Sequence, residues 1–227
     1  SMIELRIKNL TTAIIEDLSF ELSDPGLYGI IGPNGIGKST LFSLINGEVK
    51  GFRGQLQSGK VAYIPNLDIF DKHLSAQDYL QLLSPEELNV FQENLEKMGG
   101  ADYLNKKIGK YSLGMKELFA FLYILSLPSD LIILDELLDG LDELRWSTAY
   151  ELLKEYSTQK IILLTSHNLS EVFKICDTVY LLSKNSLTAI EDFDPANALN
   201  LLKFKGNNAW DIPFILAAKE AGTDSHD

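Results

Sequence analysis

One stretch constrains this chain more than any other. Gly32-Pro33-Asn34-Gly35-Ile36-Gly37-Lys38-Ser39-Thr40 fits the pattern G-x-x-x-x-G-K-[ST] in full. The apolar run Leu27 to Ile31 precedes it and reads as a buried parallel strand, and Leu41 to Ile45 follows with a helical pattern. Glycines in such a loop let backbone N–H groups turn inward around an anion without obstruction from Cβ atoms. The helix behind the loop directs its own N-terminal N–H groups and the positive end of its dipole at the same point. The stretch therefore predicts a phosphate cradle on a strand–loop–helix unit. Lys38 is expected to reach the terminal phosphates and the Ser39 hydroxyl to ligate Mg²⁺.

A cradle of this kind needs an acidic partner at the end of another strand. Leu131 to Leu134 followed by Asp135 and Glu136 offers it. Asp135 suits the outer coordination of Mg²⁺, and Glu136 suits a base that polarises an attacking water.

Apolar strand patterns recur at Val61 to Ile64, Ile161 to Leu164 and Val179 to Leu182, with helical patterns at about 143 to 156 and 170 to 176. That alternation predicts an α/β core with a mainly parallel sheet. Alternating residues at Ile3, Leu5 and Ile7 and at Leu18 to Leu22 add strands ahead of it, and Gly51 to Gly59 reads as a small hairpin. From about 71 to 128 the pattern is helical: Ser84-Pro85-Glu86-Glu87 is a helix start, Gly99-Gly100 a stop, and a further helix is expected from Ser112 to Pro128. The whole of 1–227 reads as a single domain with that helical stretch as an insert. Residues from about 191 onward form a C-terminal extension.

Composition narrows the partners. Twenty lysines and arginines against 32 acids leave a net charge of −12, which opposes a sequence-independent grip on nucleic acid. It does not oppose a phosphate held by backbone amides, one lysine and a metal ion. One cysteine, Cys176, and three histidines give no zinc-ligand spacing. The longest strongly apolar stretch, Leu118 to Leu127, is far short of the roughly 20 residues that span a bilayer, so the expectation is a soluble, cytoplasmic chain. Trp146, Trp210, Phe119, Phe121 and Tyr123 are expected to pack rather than bind.

Taken together, these residues resemble the nucleotide-binding domain of an ATP-binding cassette (ABC) transporter, over about residues 2 to 190. Tyr111-Ser112-Leu113-Gly114-Met115 is similar to the family's signature motif, LSGGQ, and lies 23 residues before Asp135, counted from Ser112. Asp139-Gly140-Leu141-Asp142 resembles the D-loop, and Thr165-Ser166-His167 the segment of the switch histidine. The resemblance implies an α/β P-loop NTPase fold of ABC type: a mainly parallel sheet core, an N-terminal antiparallel β part and the helical insert. It implies ATP and Mg²⁺ as ligands, with ATP held by residues Gly32 to Thr40. It also implies a second nucleotide-binding domain packed head to tail, in a homo- or heterodimer. Ser112, Leu113, Gly114 and Met115 would then face the partner's ATP, and Asp142 would report across the interface. His167 would hold the γ-phosphate and orient Glu136, and Asn66 would offer its amide oxygen to Mg²⁺. An integral membrane permease is the implied docking partner. It would keep the chain peripheral on the inner face of the membrane.

The chain departs from the family pattern in several places. Asn66 stands where a glutamine is usual, Leu137 replaces a proline, Leu118 an arginine and Leu113 the first signature glycine. Thr11-Thr12-Ala13 lacks the aromatic that stacks on adenine. The Ser-Leu-Gly-Met-Lys form resembles a branch of bacterial exporters. Asn66 and the altered signature leave open a regulatory cassette that binds ATP and scarcely hydrolyses it. A soluble, non-transport ATPase is the third reading.

Overall fold

In the computed structural model, residues 4–32 and 37–190 are described. They form two sheets with helices against them. The larger sheet has six strands in the order β5-β6-β7-β3-β8-β9: Val61–Tyr63 (β5), Leu131–Asp135 (β6), Ile161–Thr165 (β7), Gly26–Ile31 (β3), Thr178–Leu182 (β8) and Leu187–Ile190 (β9). All pairings are parallel except β8 with β9. The order follows from burial. Every residue of β3 and β7 is buried, which suits apolar runs covered on both faces.

The smaller sheet is antiparallel, with Leu5–Thr11 (β1) between Leu18–Leu22 (β2) and Arg53–Ser58 (β4). Along β1 the buried Leu5, Ile7 and Leu10 pack toward the α/β core, where they join Leu18, Ile30 and Phe42 in one apolar cluster. The hairpin expected within Gly51 to Gly59 does not form. Arg53 to Ser58 run as one continuous strand whose partner is β1, far upstream, with Leu5 opposite Ser58 and Thr11 opposite Arg53. The parallel core gains one further strand at its edge: β9 folds back on β8 through Ser183–Ser186, whose ends are tied by a Ser183 N–H to Ser186 carbonyl bond of 2.8 Å.

Helix Lys38–Ile45 (α1) follows the phosphate loop directly. The helical stretch comprises Ala76–Leu80 (α2), Pro85–Lys97 (α3) and Leu113–Ser126 (α4). The start read at Ser84 is a reciprocal capping box: the Ser84 hydroxyl accepts the Glu87 N–H, and the Glu87 carboxylate accepts the Ser84 N–H. Such caps are worth about 1 kcal/mol each. Tyr79 of α2 and Phe91 of α3, with Phe70 ahead of them, meet Phe119 of α4 through edge-on and tilted ring contacts, and Phe119 and Phe121 are fully buried. The same cluster continues into Ile132, Leu134, Ile162 and Leu164 of the sheet. Burying each such side chain contributes roughly 1.5–3 kcal/mol, so the helical stretch and sheet are one packed body. Glu143–Tyr156 (α5) and Leu169–Ile175 (α6) complete the core. Cys176 caps α6; burial pushes its thiol up to about 12, the unreactive form expected for a packing cysteine.

Among the described residues, no helix is long and apolar enough to cross a membrane. The extension from 191 onward, including Trp210, lies outside the described residues.

Candidate nucleotide site

The site is built on the register of two strands. β6 and β7 pair so that Asp135 stands opposite Thr165, at the carboxyl ends where open α/β sheets bind their ligands. The Thr165 hydroxyl donates to Asp135 Oδ1 at 2.7 Å, and accepts the Glu136 N–H at 2.9 Å. Asp135 Oδ2 accepts the Ser39 hydroxyl at 3.2 Å. One buried threonine thus fixes the aspartate and the first turn after it. Glu136 itself adopts φ 58°, the left-handed region that a non-glycine residue seldom enters. Two bonds from its N–H to Thr165, one to the carbonyl and one to the hydroxyl, hold it there. This local strain sits at the one carboxylate that sequence assigns to water activation, a frequent place for it.

Gly37 ends the loop at φ 108° and forms the N-cap of α1; its backbone needs the freedom only glycine has. Behind it, Lys38 Nζ donates to the Gly32 carbonyl at 2.7 Å. Burial lowers the Lys38 ammonium below its ordinary range, and the charges of Glu136 and then Asp135 pull it back up. Pro33, Asn34, Gly35 and Ile36 lie outside the described residues. Gly37, Lys38, Ser39, Thr40, Asn66, Asp135 and Glu136 line one cleft of about 530 Å³, together with Pro65 and Ile14. His167 lines a neighbouring cleft and meets this one through Glu136, with Nε2 at 3.1 Å from Glu136 Oε2.

Ser112 to Met115 and Asp142, also assigned from sequence, are not among the residues that line this cleft. Ser112 is the N-cap of α4, its hydroxyl accepting the Met115 N–H at 3.2 Å. Gly114 lies against the Gly140 carbonyl, and Leu113 is 60% exposed. Asp142 caps α5 by accepting the Arg145 N–H. Asn66 reaches the cleft, while its amide oxygen accepts the Asp68 N–H at 2.9 Å.

Several neighbours carry no role in the sequence reading. Asp139 accepts the Ser166 hydroxyl at 2.5 Å and the His167 N–H at 3.0 Å, so it holds the histidine's backbone. Tyr63, packed beneath Asp135, is pushed up to about 12, by burial first and then by the Asp135 charge. Ile14 supplies apolar wall where residues 11–13 offer no aromatic. Asp139 sits within the stretch that resembles the D-loop, while Tyr63 and Ile14 take their places from chain crossings and register that no local spacing announces.

The donor set is hard oxygen: a serine hydroxyl, an aspartate and a nearby amide. That suits Mg²⁺, which takes one or two protein ligands and completes its shell with water and substrate phosphates. Among the described residues, no group of three or more His, Cys, Asp or Glu could hold a metal ion alone.

Comparison with known proteins agrees with this geometry. The family model for ABC transporters matches residues 15–139. The ATP-binding protein BexA of Haemophilus influenzae is 30% identical over 192 residues, covering 81% of this chain and 87% of that one. A probable metal transport system ATP-binding protein of Thermotoga maritima is 28% identical over 195 residues, covering 79% and 81%. In fold, the chain is similar to a solved ATP-binding subunit of an ABC transporter, with a TM-score of 0.74, 24% identity and coverage of 96% and 100%. With the family model spanning more than half of its length, the chain belongs to the ABC transporter family as one of its ATP-binding subunits.

Proposed function

We propose that this subunit hydrolyses ATP and so drives a separate membrane permease. The observation that carries the reading is the convergence of Lys38, Ser39, Asp135 and Glu136 on one cleft, with Ser39 and Asp135 3.2 Å apart and His167 set against Glu136 at 3.1 Å. Each group has work to do in phosphoryl transfer. Lys38 is a partly desolvated cation, so its attraction for the β- and γ-phosphates is stronger than in water. Glu136 takes the proton of the attacking water, and His167 holds that carboxylate in position and donates to the γ-phosphate. Ser39, Asp135 and, from its loop, Asn66 would hold Mg²⁺, which supplies neutralising charge at the phosphate oxygens.

A second copy of such a domain would complete the site. Ser112 caps a helix of 14 residues, and the N–H groups of its first turn would serve a partner's γ-phosphate. Asp142 would lie at that junction. ATP binding then closes the dimer, and hydrolysis reopens it. Docking to the permease keeps the chain on the inner face of the membrane. The relatives' names span metal transport, chelated iron transport and capsule polysaccharide export, which supports leaving the choice of cargo to the permease.

One observation favours a slower, regulatory cassette: the Asn66 oxygen is already engaged by the Asp68 N–H. Steady-state phosphate release from the purified chain, with Mg²⁺ and after chelation by EDTA, separates the two. Mg²⁺-dependent turnover at about 0.1 s⁻¹ or faster supports hydrolysis, on the low side of the ordinary enzyme range. ATP binding with no turnover supports the regulatory reading.

A further inference from the structure

Glu117 is the only buried carboxylate among the described residues, at 4% exposure, and among them no lysine, arginine or histidine pairs with it. Burying an acid inside an otherwise apolar helix is costly, so its partner matters. That partner is the backbone of another element: Glu117 Oε2 accepts the Gly140 N–H at 2.6 Å. The fit admits nothing larger. A Cβ on Gly140 would come within 2.8 Å of both Glu117 carboxylate oxygens, and one on Gly114 within 3.1 Å of the Gly140 carbonyl. Helix α4 and the loop from Asp139 to Leu141 are therefore fastened at two points, one turn apart.

The next residue extends the connection. Asp139 accepts the Ser166 hydroxyl and the His167 N–H, and His167 Nε2 meets Glu136 Oε2 at 3.1 Å. A continuous set of bonds thus runs from the first turns of α4, which on the proposed function would face a partner's nucleotide, to Glu136 of the chain's own cleft. Glu117 is the polar link from the helix to this set.

We propose that Glu117 is a positioning residue that clamps the Asp139–Leu141 loop to the signature helix, so that displacement of the helix is passed through Asp139 to His167 and Glu136. The inference rests on the ATPase reading for its consequence, but the clamp itself is a property of the chain alone. Replacing Glu117 by leucine removes the acceptor while keeping an apolar core. Replacing it by glutamine keeps an oxygen that can accept the Gly140 N–H. Gly140→Ala leaves Glu117 in place and forces the two apart.

The test measures hydrogen–deuterium exchange of full-length wild type and the three variants, in peptides covering 137–142 and 165–168, beside steady-state ATP hydrolysis. Glu117→Leu and Gly140→Ala are expected to raise exchange in both segments about tenfold, the loss of roughly 1.4 kcal/mol of local stability. Glu117→Gln is expected to stay within about threefold of wild type, less than the full cost of a lost buried bond. In hydrolysis, Glu117→Leu is expected to lower kcat about tenfold with KM for ATP little changed, as for a group that acts through another on the transition state. Unchanged exchange at 165–168 in both Glu117→Leu and Gly140→Ala overturns the proposal, as does glutamine failing to rescue. A wild-type chain that does not hydrolyse ATP at all would sink the ATPase reading while the exchange result still decides the clamp.

Discussion

The two ends of the site are built differently. At the cleft, Asp135, Glu136, Thr165 and Ser39 satisfy one another inside the chain through bonds of 2.7 to 3.2 Å. At the start of α4, Ser112 spends its hydroxyl on its own helix and Leu113 stands out at 60% exposure, as does Leu144 in the first turn of α5 at 78%. The first region is pre-organised by those bonds. The second is a capped helix end that carries an exposed leucine. Catalytic power should therefore be lost by changes at the first region, and cooperation with a second copy by changes at the second.

The largest effect expected is at Glu136. Glu136→Gln preserves the shape of the cleft and removes the base, so kcat should fall at least about 100-fold while ATP affinity, read by equilibrium binding, stays near wild type. A smaller loss is expected for Thr165→Val, which strips the hydroxyl bonded to both Asp135 and the Glu136 N–H. A drop of about tenfold in kcat and of roughly 1–3 kcal/mol in unfolding free energy would follow from leaving that buried N–H with one partner fewer. Equal activity of the valine variant would mean the register alone holds the two carboxylates.

The contrast sharpens at Ser112. Its replacement by alanine should cost about 1 kcal/mol of stability through the lost cap, with binding of ATP to the isolated subunit unchanged. Any larger defect should appear only where two subunits meet, as a rise in the ATP concentration needed for dimerisation.

A separate effect, on stability alone, concerns pH. Burial pushes the Glu117 carboxyl up to about 7 from an ordinary 4.5, against the Gly140 N–H, which lowers it, while Asp139 adds to the rise. Between those values the folded chain holds a proton that the unfolded chain has released. Bound protons are then more numerous in the folded state, so this group's contribution to stability declines as pH rises from about 4.5 to 7 and is level above that. Glu117→Gln cannot ionise. Urea midpoints at pH 5 and pH 7.5 should therefore differ less for the variant than for wild type. An identical difference in the two proteins would mean that Glu117 does not titrate in this window.

Much of this site was legible because its parts are contiguous. Gly32 to Thr40, Asp135-Glu136 and Thr165-Ser166-His167 each announce themselves by local pattern, and the helix start at Ser84 follows from capping chemistry. What local pattern could not convey is pairing at a distance. Gly51 to Gly59 looks like a hairpin because its glycines are local, whereas the partner of Arg53 is Thr11. Thr165 acquires its role from the register that sets it opposite Asp135. Glu117 reads as one polar residue in a helix until the fold brings Gly140 against it. The edge strand Leu187–Ile190 has one residue clearly buried, too weak an alternation to announce itself.

The central claim is that this cleft performs hydrolysis and that closure of two such clefts precedes it. Sedimentation of Glu136→Gln with ATP and Mg²⁺, beside phosphate release from wild type, tests it most directly. The expected result is a stable ATP-bound dimer of the variant with almost no phosphate released, against a wild type that turns over and returns to monomer. A variant that stays monomeric with ATP bound, or releases phosphate at the wild-type rate, would contradict it.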